Sequence, residues 1–431
     1  MNRRTFLLGG TSALAALSLG VSGTTAQTSD APVNIVIAGA GAAGLSLASR
    51  LRRRMSKARI TIVDAKREHY FQPGFTLIMA GLWQPDDVTE SNADFMPRDV
   101  DWVEEAVAEF DPESNSITTS GGQRLGYDYL FVTTGLNLDY AAIEGMETSL
   151  IGQEGIASVY AGPEAAAASS RAMDRFLEAG GTGLFGRPAT EIKCAGAPLK
   201  MTFITEDRAR RQGRRENVEL VYNAHNDTVF AIPPVNDKVE TLFAERGVKV
   251  NHGHVLKALE PGSRQAVYET ADGEVTMDYD FIHVVPPMRA PDPVRNSPLP
   301  WQEGPLAADG WIEAERETLR HPRYPNVFAL GDVAGVPRGK TAASVKWQVP
   351  VVADNFVAET RGEEPVAAYN GYTSCPMVTA YGTAMLIEFD YEGNLIQSFP
   401  FIEPLEERWV SWLIEEKGLK GAYLAMLRGR A

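Results

Sequence analysis

The chain contains only two cysteines, and both stand in sequence contexts that suit thiol chemistry. Cys194 lies in the run KCAGAP (residues 193–198), and Cys375 lies in TSCP (residues 373–376). If the fold brings these two residues together, they form one redox-active pair. A disulfide that merely braces the fold is the alternative, because such bonds are common in proteins of oxidising compartments.

The residues around Cys194 favour a reactive thiol. Lys193 precedes it directly, and a predicted helix over residues 198–211 begins shortly after it. A neighbouring cation and a helix N-terminus both lower the pKa of a thiol and stabilise its thiolate. A structural disulfide has no need of an acidic thiol, so this context favours redox chemistry. Glu191 and His225 are the other titratable candidates near the cysteines.

A segment near the start of the chain has the order expected of a dinucleotide site. It consists of a buried strand, three glycines in the spacing GxGxxG, a helix, a second strand and an acid: residues 33–38, Gly39, Gly41 and Gly44, residues 45–54, residues 60–63 and Asp64. Gly39 permits a tight turn, Gly41 lets the backbone approach a pyrophosphate, and Gly44 lets the helix pack close to the strand. Asp64, about 20 residues beyond Gly44, stands where a carboxylate binds ribose hydroxyls; an ordinary surface carboxylate is the alternative.

Two later strands indicate that this nucleotide is FAD. One runs into Thr134 and Gly135, and the other ends in Gly331 and Asp332. This arrangement resembles the flavoprotein reductases with two dinucleotide domains. In that group the Gly-Asp carboxylate holds a ribityl hydroxyl, and the Thr-Thr-Gly turn lies beside the adenine half. The second domain of the group normally carries its own glycine fingerprint, but residues 180–188 contain none here.

These patterns predict an α/β protein with two Rossmann-like dinucleotide-binding domains and a C-terminal α+β region that faces a membrane. We expect the FAD domain to be discontinuous, the second domain to be inserted into it, and the C-terminal region to follow: residues 33–149 with 290–365, residues 150–289, and residues 366–431. The 431 residues, 44% hydrophobic and 23% charged, suit a globular chain. A net charge of −15 argues against nucleic-acid binding, which needs basic patches. No metal site is expected.

Four motifs together resemble the sulfide:quinone oxidoreductases, and most of all the branch with the mitochondrial enzyme. They are HYFQP, KCAGAP, HVVPPM and YNGYTSCP, at residues 69–73, 193–198, 283–288 and 369–376. The likeness runs from about residue 33 to about residue 401. It implies that the Cys194–Cys375 pair oxidises sulfide and that FAD passes the electrons to a membrane quinone. The sulfane sulfur would leave on sulfide, sulfite or a small thiol.

The resemblance also implies roles for single residues. Cys375 would carry the persulfide, and Cys194 would be the thiolate beside the flavin. Pro73 would lie near the flavin, and Lys346 would stabilise its reduced form from a helix that points at the pyrimidine ring. Relatives with covalently bound flavin have a cysteine near Gln72 and Pro73. This chain lacks it, so we expect FAD to be non-covalent.

The first residues predict export. Arg3 and Arg4 precede a mild apolar stretch over residues 7–21, and small residues follow at 24–26. This order is typical of a twin-arginine signal peptide, here residues 1–26, and predicts a periplasmic protein. An uncleaved membrane anchor is the alternative. Because the sulfide dehydrogenases that pair with a c-type cytochrome use this route, such a cytochrome stays open as the electron acceptor.

The C-terminal segment has the composition of a membrane-surface helix. Residues 408–430 combine Trp409, Trp412 and Tyr423 with lysines and arginines. Aromatic rings suit the interface, and cations suit anionic head groups. We therefore expect the protein to lie peripherally on the membrane. A helix that packs on the core, or on a partner subunit in a homo-oligomer, is the alternative.

Overall fold

Two five-stranded parallel sheets form the centre of the computed structural model, which describes residues 27–430. The first sheet has the order Val327–Ala329, Tyr129–Val132, Asn34–Ala38, Arg59–Val63, Asp101–Val103. The second has the order Ile156–Ala157, Phe281–His283, Gly181–Gly186, Val218–Asn223, Val248–Asn251. The α/β prediction is confirmed. The predicted signal peptide, residues 1–26, lies outside the described residues.

The first sheet collects three separate parts of the chain at one edge. Val327–Ala329 comes from late in the sequence and lies parallel to Tyr129–Val132, which in turn lies beside the first strand. The turns that contain Gly39, Gly135 and Gly331 follow the carboxyl ends of these three strands. Ligands of open α/β sheets bind at this edge. The topology therefore brings together nucleotide-binding residues that are distant in sequence.

Helices cover both sheets. The α-helices of the described chain are Ala42–Arg54, Phe75–Met79, Pro163–Ala179, Ala197–Arg211, Pro233–Glu245, Asp292–Arg295, Ala342–Thr360, Trp409–Leu413 and Leu419–Leu427. Ala42–Arg54 follows the glycine turn and packs between Ala342–Thr360 and Leu419–Leu427. Its leucines face the core with no exposed surface, whereas Arg53 lies on the exposed side.

Smaller sheets surround this centre, and all are antiparallel except the pair of Ile312–Glu313 with Ala334–Gly335, which is parallel. Two have three strands: Val107–Asp111, Ser116–Thr119 and Arg124–Gly126, and then Val255–Glu260, Gln265–Thr270 and Gly273–Asp278. Four have two strands: Glu68–Tyr70 with Thr89–Ser91, Asn137–Leu138 with Met288–Arg289, Ile312–Glu313 with Ala334–Gly335, and Thr373–Ala380 with Thr383–Phe389. The last hairpin carries Cys375 and packs on Ala197–Arg211, the helix that follows Cys194.

The C-terminal segment packs on the core of the protein. After Trp409–Leu413, a π-helical turn over Ile414–Gly418 leads into Leu419–Leu427. Trp412 and Tyr423 are buried, so the expectation that they face a membrane was wrong. Among residues 27–430, no helix is long and apolar enough to cross a bilayer.

Candidate active site

The two cysteine sulfurs are in contact. The Cys375 thiol donates a hydrogen bond to the Cys194 sulfur, and no disulfide joins the two cysteines in this structure. Gly196 makes this approach possible, because a methyl group at that position would collide with Cys375 Sγ. The sequence-predicted pair is therefore assembled by the packing of the hairpin against the helix.

The Cys194 backbone has an unusual conformation that its neighbours stabilise. Its φ is +49°, a left-handed value that costs a non-glycine residue of order 1 kcal/mol. Cys194 N–H donates to the Lys340 carbonyl at 3.0 Å, and its own carbonyl accepts from Ala197 N–H at 2.8 Å. The Tyr160 hydroxyl donates to the same carbonyl at 3.2 Å. These contacts hold the sulfur in place against the local strain.

The two thiols have opposite pKa shifts. The hydrogen bond from Cys375 lowers the pKa of Cys194 to about 7, against the effect of burial, and Lys200 and then Lys193 lower it further. The same hydrogen bond, together with burial, raises the pKa of Cys375 well above its ordinary value. At neutral pH the thiolate of the pair therefore belongs to Cys194. The sequence indicated an acidic Cys194 but gave Lys193 a larger part in it than the structure does.

A buried ion pair that the sequence did not suggest lies beside the thiols. Lys200 Nζ is 2.9 Å from Glu415 Oε1, and the two side chains are 3% and 2% exposed. Burial lowers the pKa of Lys200, but the Glu415 carboxylate and the two cysteine sulfurs outweigh it, so the pKa lies above its ordinary value. Glu415 Oε2 has no hydrogen-bond partner in the described structure. The pair thus links the C-terminal segment to the thiols.

The glycine turn has the shape of a dinucleotide cradle. Gly39 has a φ of +115°, and a side chain there would strike the Thr133 carbonyl at 2.5 Å. Gly44 approaches the Gly39 carbonyl so closely that no side chain fits. Gly41 instead faces open space, with no atom within 4 Å of the point that a methyl group would occupy. Open space at Gly41 and tight packing on either side fit a bound pyrophosphate.

Asp64 and the Thr134 turn complete this cradle. Asp64 Oδ2 accepts from Ala40 N–H at 2.7 Å, and Oδ1 accepts from Lys66 N–H at 2.8 Å. The carboxylate therefore lies at the turn and retains lone pairs for ribose hydroxyls. Thr134 Oγ1 is buried without a partner in the described structure, beside Gly135, which has open space around it. An unsatisfied hydroxyl at this edge fits a polar ligand such as FAD.

The remaining predicted flavin residues lie at three separate points. Pro73 belongs to a one-turn 3-10 helix, Gln72–Gly74. Asp332 follows the Val327–Ala329 strand and is half-buried. Lys346 is half-buried in the second turn of Ala342–Thr360, a helix capped by the Thr341 side chain. The roles of these three residues towards the flavin stay predictions.

Lys340 is a functional candidate that sequence reasoning missed. Its Nζ donates to the Asp332 carbonyl at 2.5 Å and lies 3.5 Å from the centroid of the Trp311 ring. Burial lowers the pKa of Lys340 to about 8 in spite of the nearby Asp332. Its carbonyl also receives the Cys194 N–H. Lys340 thus joins the Gly-Asp turn to the thiol pair, and no spacing rule points to it.

His69 explains why the HYFQP motif is tied to the C-terminal segment. His69 Nδ1 is 2.9 Å from Asn92 Oδ1, and Nε2 is 2.7 Å from the Tyr423 hydroxyl. Because an amide oxygen only accepts, Nδ1 carries the proton and Nε2 accepts from Tyr423. Burial lowers the pKa of His69, which keeps the ring neutral. This contact is structural and fixes Leu419–Leu427 against the nucleotide domain.

The sequence is similar to known proteins over most of its length. Residues 33–349 match the pyridine nucleotide-disulphide oxidoreductase family. The mitochondrial sulfide:quinone oxidoreductase of Dictyostelium discoideum is 36% identical over 397 residues, covering 92% of this chain and 86% of the relative. The Mus musculus enzyme of the same name is 34% identical over 399 residues, with the same two coverages.

A solved structure supports the fold. The sulfide:quinone oxidoreductase of Aquifex aeolicus superposes with a TM-score of 0.75 at 21% identity, covering 92% of this chain and 91% of that one. Identity and coverage at the level of the curated relatives establish the family, and members of this group bind FAD. The chain therefore belongs to the sulfide:quinone oxidoreductases, within the pyridine nucleotide-disulphide oxidoreductases.

Proposed function

We propose that this enzyme oxidises sulfide through the Cys194–Cys375 pair and delivers the electrons to a membrane quinone. The observation that carries the proposal is the contact between two thiols with opposite pKa shifts. A brace between domains needs no such asymmetry, whereas a disulfide that is cleaved in each cycle needs one good leaving group. The named activity of the relatives agrees with this chemistry.

The unequal pKa values of the two thiols support one direction of attack. Hydrosulfide attacks the Cys375 sulfur of the disulfide, and Cys194 leaves as the thiolate because its pKa is the lower one. Cys375 then carries the persulfide, and an acceptor (sulfide, sulfite or a small thiol) removes the outer sulfur. Lys200 lies close enough to act on both sulfurs electrostatically and stabilises the new thiolate.

Non-covalent FAD would occupy the cradle formed by the glycine turn, Asp64 and the Thr134 turn. When bound, FAD supplies the two-electron acceptor between the thiol pair and quinone. Lys346, Pro73 and Asp332 are proposed to contact it. The export signal and the periplasmic location belong to this proposal, and they rest on the twin arginines at Arg3 and Arg4.

An anaerobic titration tests the function. We expect sulfide to bleach the flavin of the purified protein, and a short-chain quinone to restore its colour. NADH should leave the flavin oxidised, because the second domain lacks a nucleotide fingerprint. A flavin that sulfide does not reduce would contradict the proposal. Reoxidation by a c-type cytochrome but not by quinone would indicate that a cytochrome is the electron acceptor.

A small apolar surface on the C-terminal segment is proposed to contact the membrane. Trp409 and Leu413 lie four residues apart on one short helix and are 65% and 37% exposed. We expect the double replacement Trp409→Ser with Leu413→Ser to weaken co-sedimentation with anionic vesicles about tenfold. Val366→Ser is the matched control, because Val366 is also apolar and is 89% exposed. Equal loss in both variants would argue against a specific contact.

A further inference from the structure

A second polar cluster lies at the carboxyl edge of the second sheet. Arg187 directly follows the strand Gly181–Gly186, and Tyr222 and His225 lie at and just after the end of Val218–Asn223. These strands are parallel neighbours, with Phe185 opposite Tyr222. All three polar side chains therefore belong to the edge at which open α/β sheets bind ligands.

Each member of this cluster has a buried polar atom without a partner. Arg187 Nε, the Tyr222 hydroxyl and His225 Nδ1 make no hydrogen bond within residues 27–430. Tyr222 is completely buried, with 0% exposure. A buried polar group that stays unpaired destabilises the fold. Three of them at one edge indicate that a ligand with hydrogen-bonding oxygens normally completes the site.

The charge of the cluster indicates the sign of the charge on that ligand. Within the described part of the chain, Arg187 forms no ion pair with a carboxylate. Burial and then Arg187 lower the pKa of His225 to about 4, so the imidazole is neutral at neutral pH. The site therefore carries one uncompensated cation. Guanidinium groups bind oxyanions through paired hydrogen bonds, which favours an anion with several oxygens.

Tyr160 lies between this cluster and the thiol pair. Its hydroxyl donates to the Cys194 carbonyl at 3.2 Å. Both cysteines, Arg187 and Tyr222 act on it electrostatically, which places all of them around one buried ring. Arg187 and His225 are half-buried and so keep contact with solvent. A small anion at the cluster would be close to the sulfur that it must accept.

We propose that Arg187, Tyr222 and His225 are the residues that bind the oxyanion group of a sulfur acceptor of the sulfite class. This assignment rests on the proposed sulfide oxidation. The sulfite sulfur attacks the outer sulfur of the Cys375 persulfide, and a new S–S bond forms as the bond to Cys375 breaks. Its electron pair stays on Cys375, which takes up the persulfide proton, and thiosulfate leaves. No further oxidant or reductant is needed for this transfer.

The test compares substitutions of Arg187 in the FAD-loaded enzyme. With sulfide and quinone saturating, we expect Arg187→Gln to raise the KM for sulfite about tenfold or more, since a charged hydrogen-bond donor is lost. Arg187→Lys should recover part of the difference because it restores the charge. Lys238→Gln, in the Pro233–Glu245 helix of the same domain, should match the wild type. An unchanged KM in Arg187→Gln overturns the assignment, and so does a wild-type enzyme that forms no thiosulfate from sulfite.

Two further measurements separate this site from the proposed function. Calorimetry with sulfate, an unreactive oxyanion, should detect binding to the oxidised wild type and loss of binding in Arg187→Gln; equal binding in both would refute the anion site. Anaerobic reduction of the wild-type flavin by sulfide is measured beside it, because that reaction tests the proposed function alone. If sulfide fails to reduce the wild-type flavin, the proposed function is wrong, while the sulfate measurement still decides whether the cluster binds an anion.

Discussion

Replacing either Cys194 or Cys375 with serine abolishes the reduction of bound flavin by sulfide, while FAD stays in place. The reason is that the contact between the two sulfurs allows one disulfide, and hydrosulfide has no other bond to cleave. A purely structural disulfide leads to a different result. Its loss would lower the free energy of unfolding by about 2–5 kcal/mol, yet the protein that remained folded would still react with sulfide. Anaerobic stopped-flow spectra distinguish the two.

The two serine variants should also differ from each other in their spectra. Cys375→Ser leaves the more acidic thiol, Cys194, and its thiolate should give a charge-transfer band with oxidised flavin that grows as the pH rises. Cys194→Ser leaves Cys375, whose pKa burial still raises and whose proposed place is on the sulfur-carrying side, so this variant should show no band near neutrality. A band in Cys194→Ser instead would mean that Cys375 is the thiolate beside the flavin and that Cys194 carries the persulfide.

The pH at which half of that band has formed measures the effect of the hydrogen bond between the thiols. The bond from Cys375 is the largest influence that holds the pKa of Cys194 near 7. Cys375→Ala removes the donor, so the thiolate should form only at higher pH. Cys375→Ser keeps a hydroxyl donor and should shift the midpoint less. If both variants titrate at the same pH, the hydrogen bond is not the cause of the low pKa.

Sequence patterns predicted the parts of the site that follow local rules. The GxGxxG turn, Asp64 and the Gly331 turn each have a conformational or charge requirement that a short segment displays. These features depend on neighbours in the chain, and so they could be inferred without the fold. The acidity of Cys194 was also indicated, from a helix N-terminus and Lys193, but its largest cause is the hydrogen bond from Cys375, a contact between distant segments.

The parts that the sequence did not reveal depend on contacts between distant segments. No local sequence signal marks Glu415, and only the packing of the tail brings it to Lys200. Tyr423 and Trp412 have the composition of a membrane interface, but core packing buries both. Arg187 carries no local sequence signal, and only the parallel pairing of its strand with Val218–Asn223 brings it close enough to act on Tyr222 electrostatically. Tertiary contacts overrode the local pattern in each case.

Lys200→Met should lower the free energy of unfolding by about 3–5 kcal/mol, because it leaves the Glu415 carboxylate buried without its cation. It should also raise the pKa of Cys194, since Lys200 is the strongest of the charges that lower it. Urea unfolding measures the first effect, and the pH dependence of flavin reduction by sulfide measures the second. Lys249→Met is the matched control. Lys249 pairs with Glu219 on the surface, with side chains 67% and 48% exposed, so its loss should cost less than about 1 kcal/mol.

The double variant Lys200→Met with Glu415→Leu separates stability from chemistry. Removing both charges leaves no unpaired carboxylate, so the free energy of unfolding should return towards the wild-type value. The pKa of Cys194 should nevertheless stay raised, because Lys200 lowers it by more than Glu415 raises it. A stable protein with slow flavin reduction near neutral pH and recovery at higher pH is the expected result. If the double variant reacts like the wild type at every pH, the ion pair only supports the fold, and it does not contribute to the acidity of Cys194.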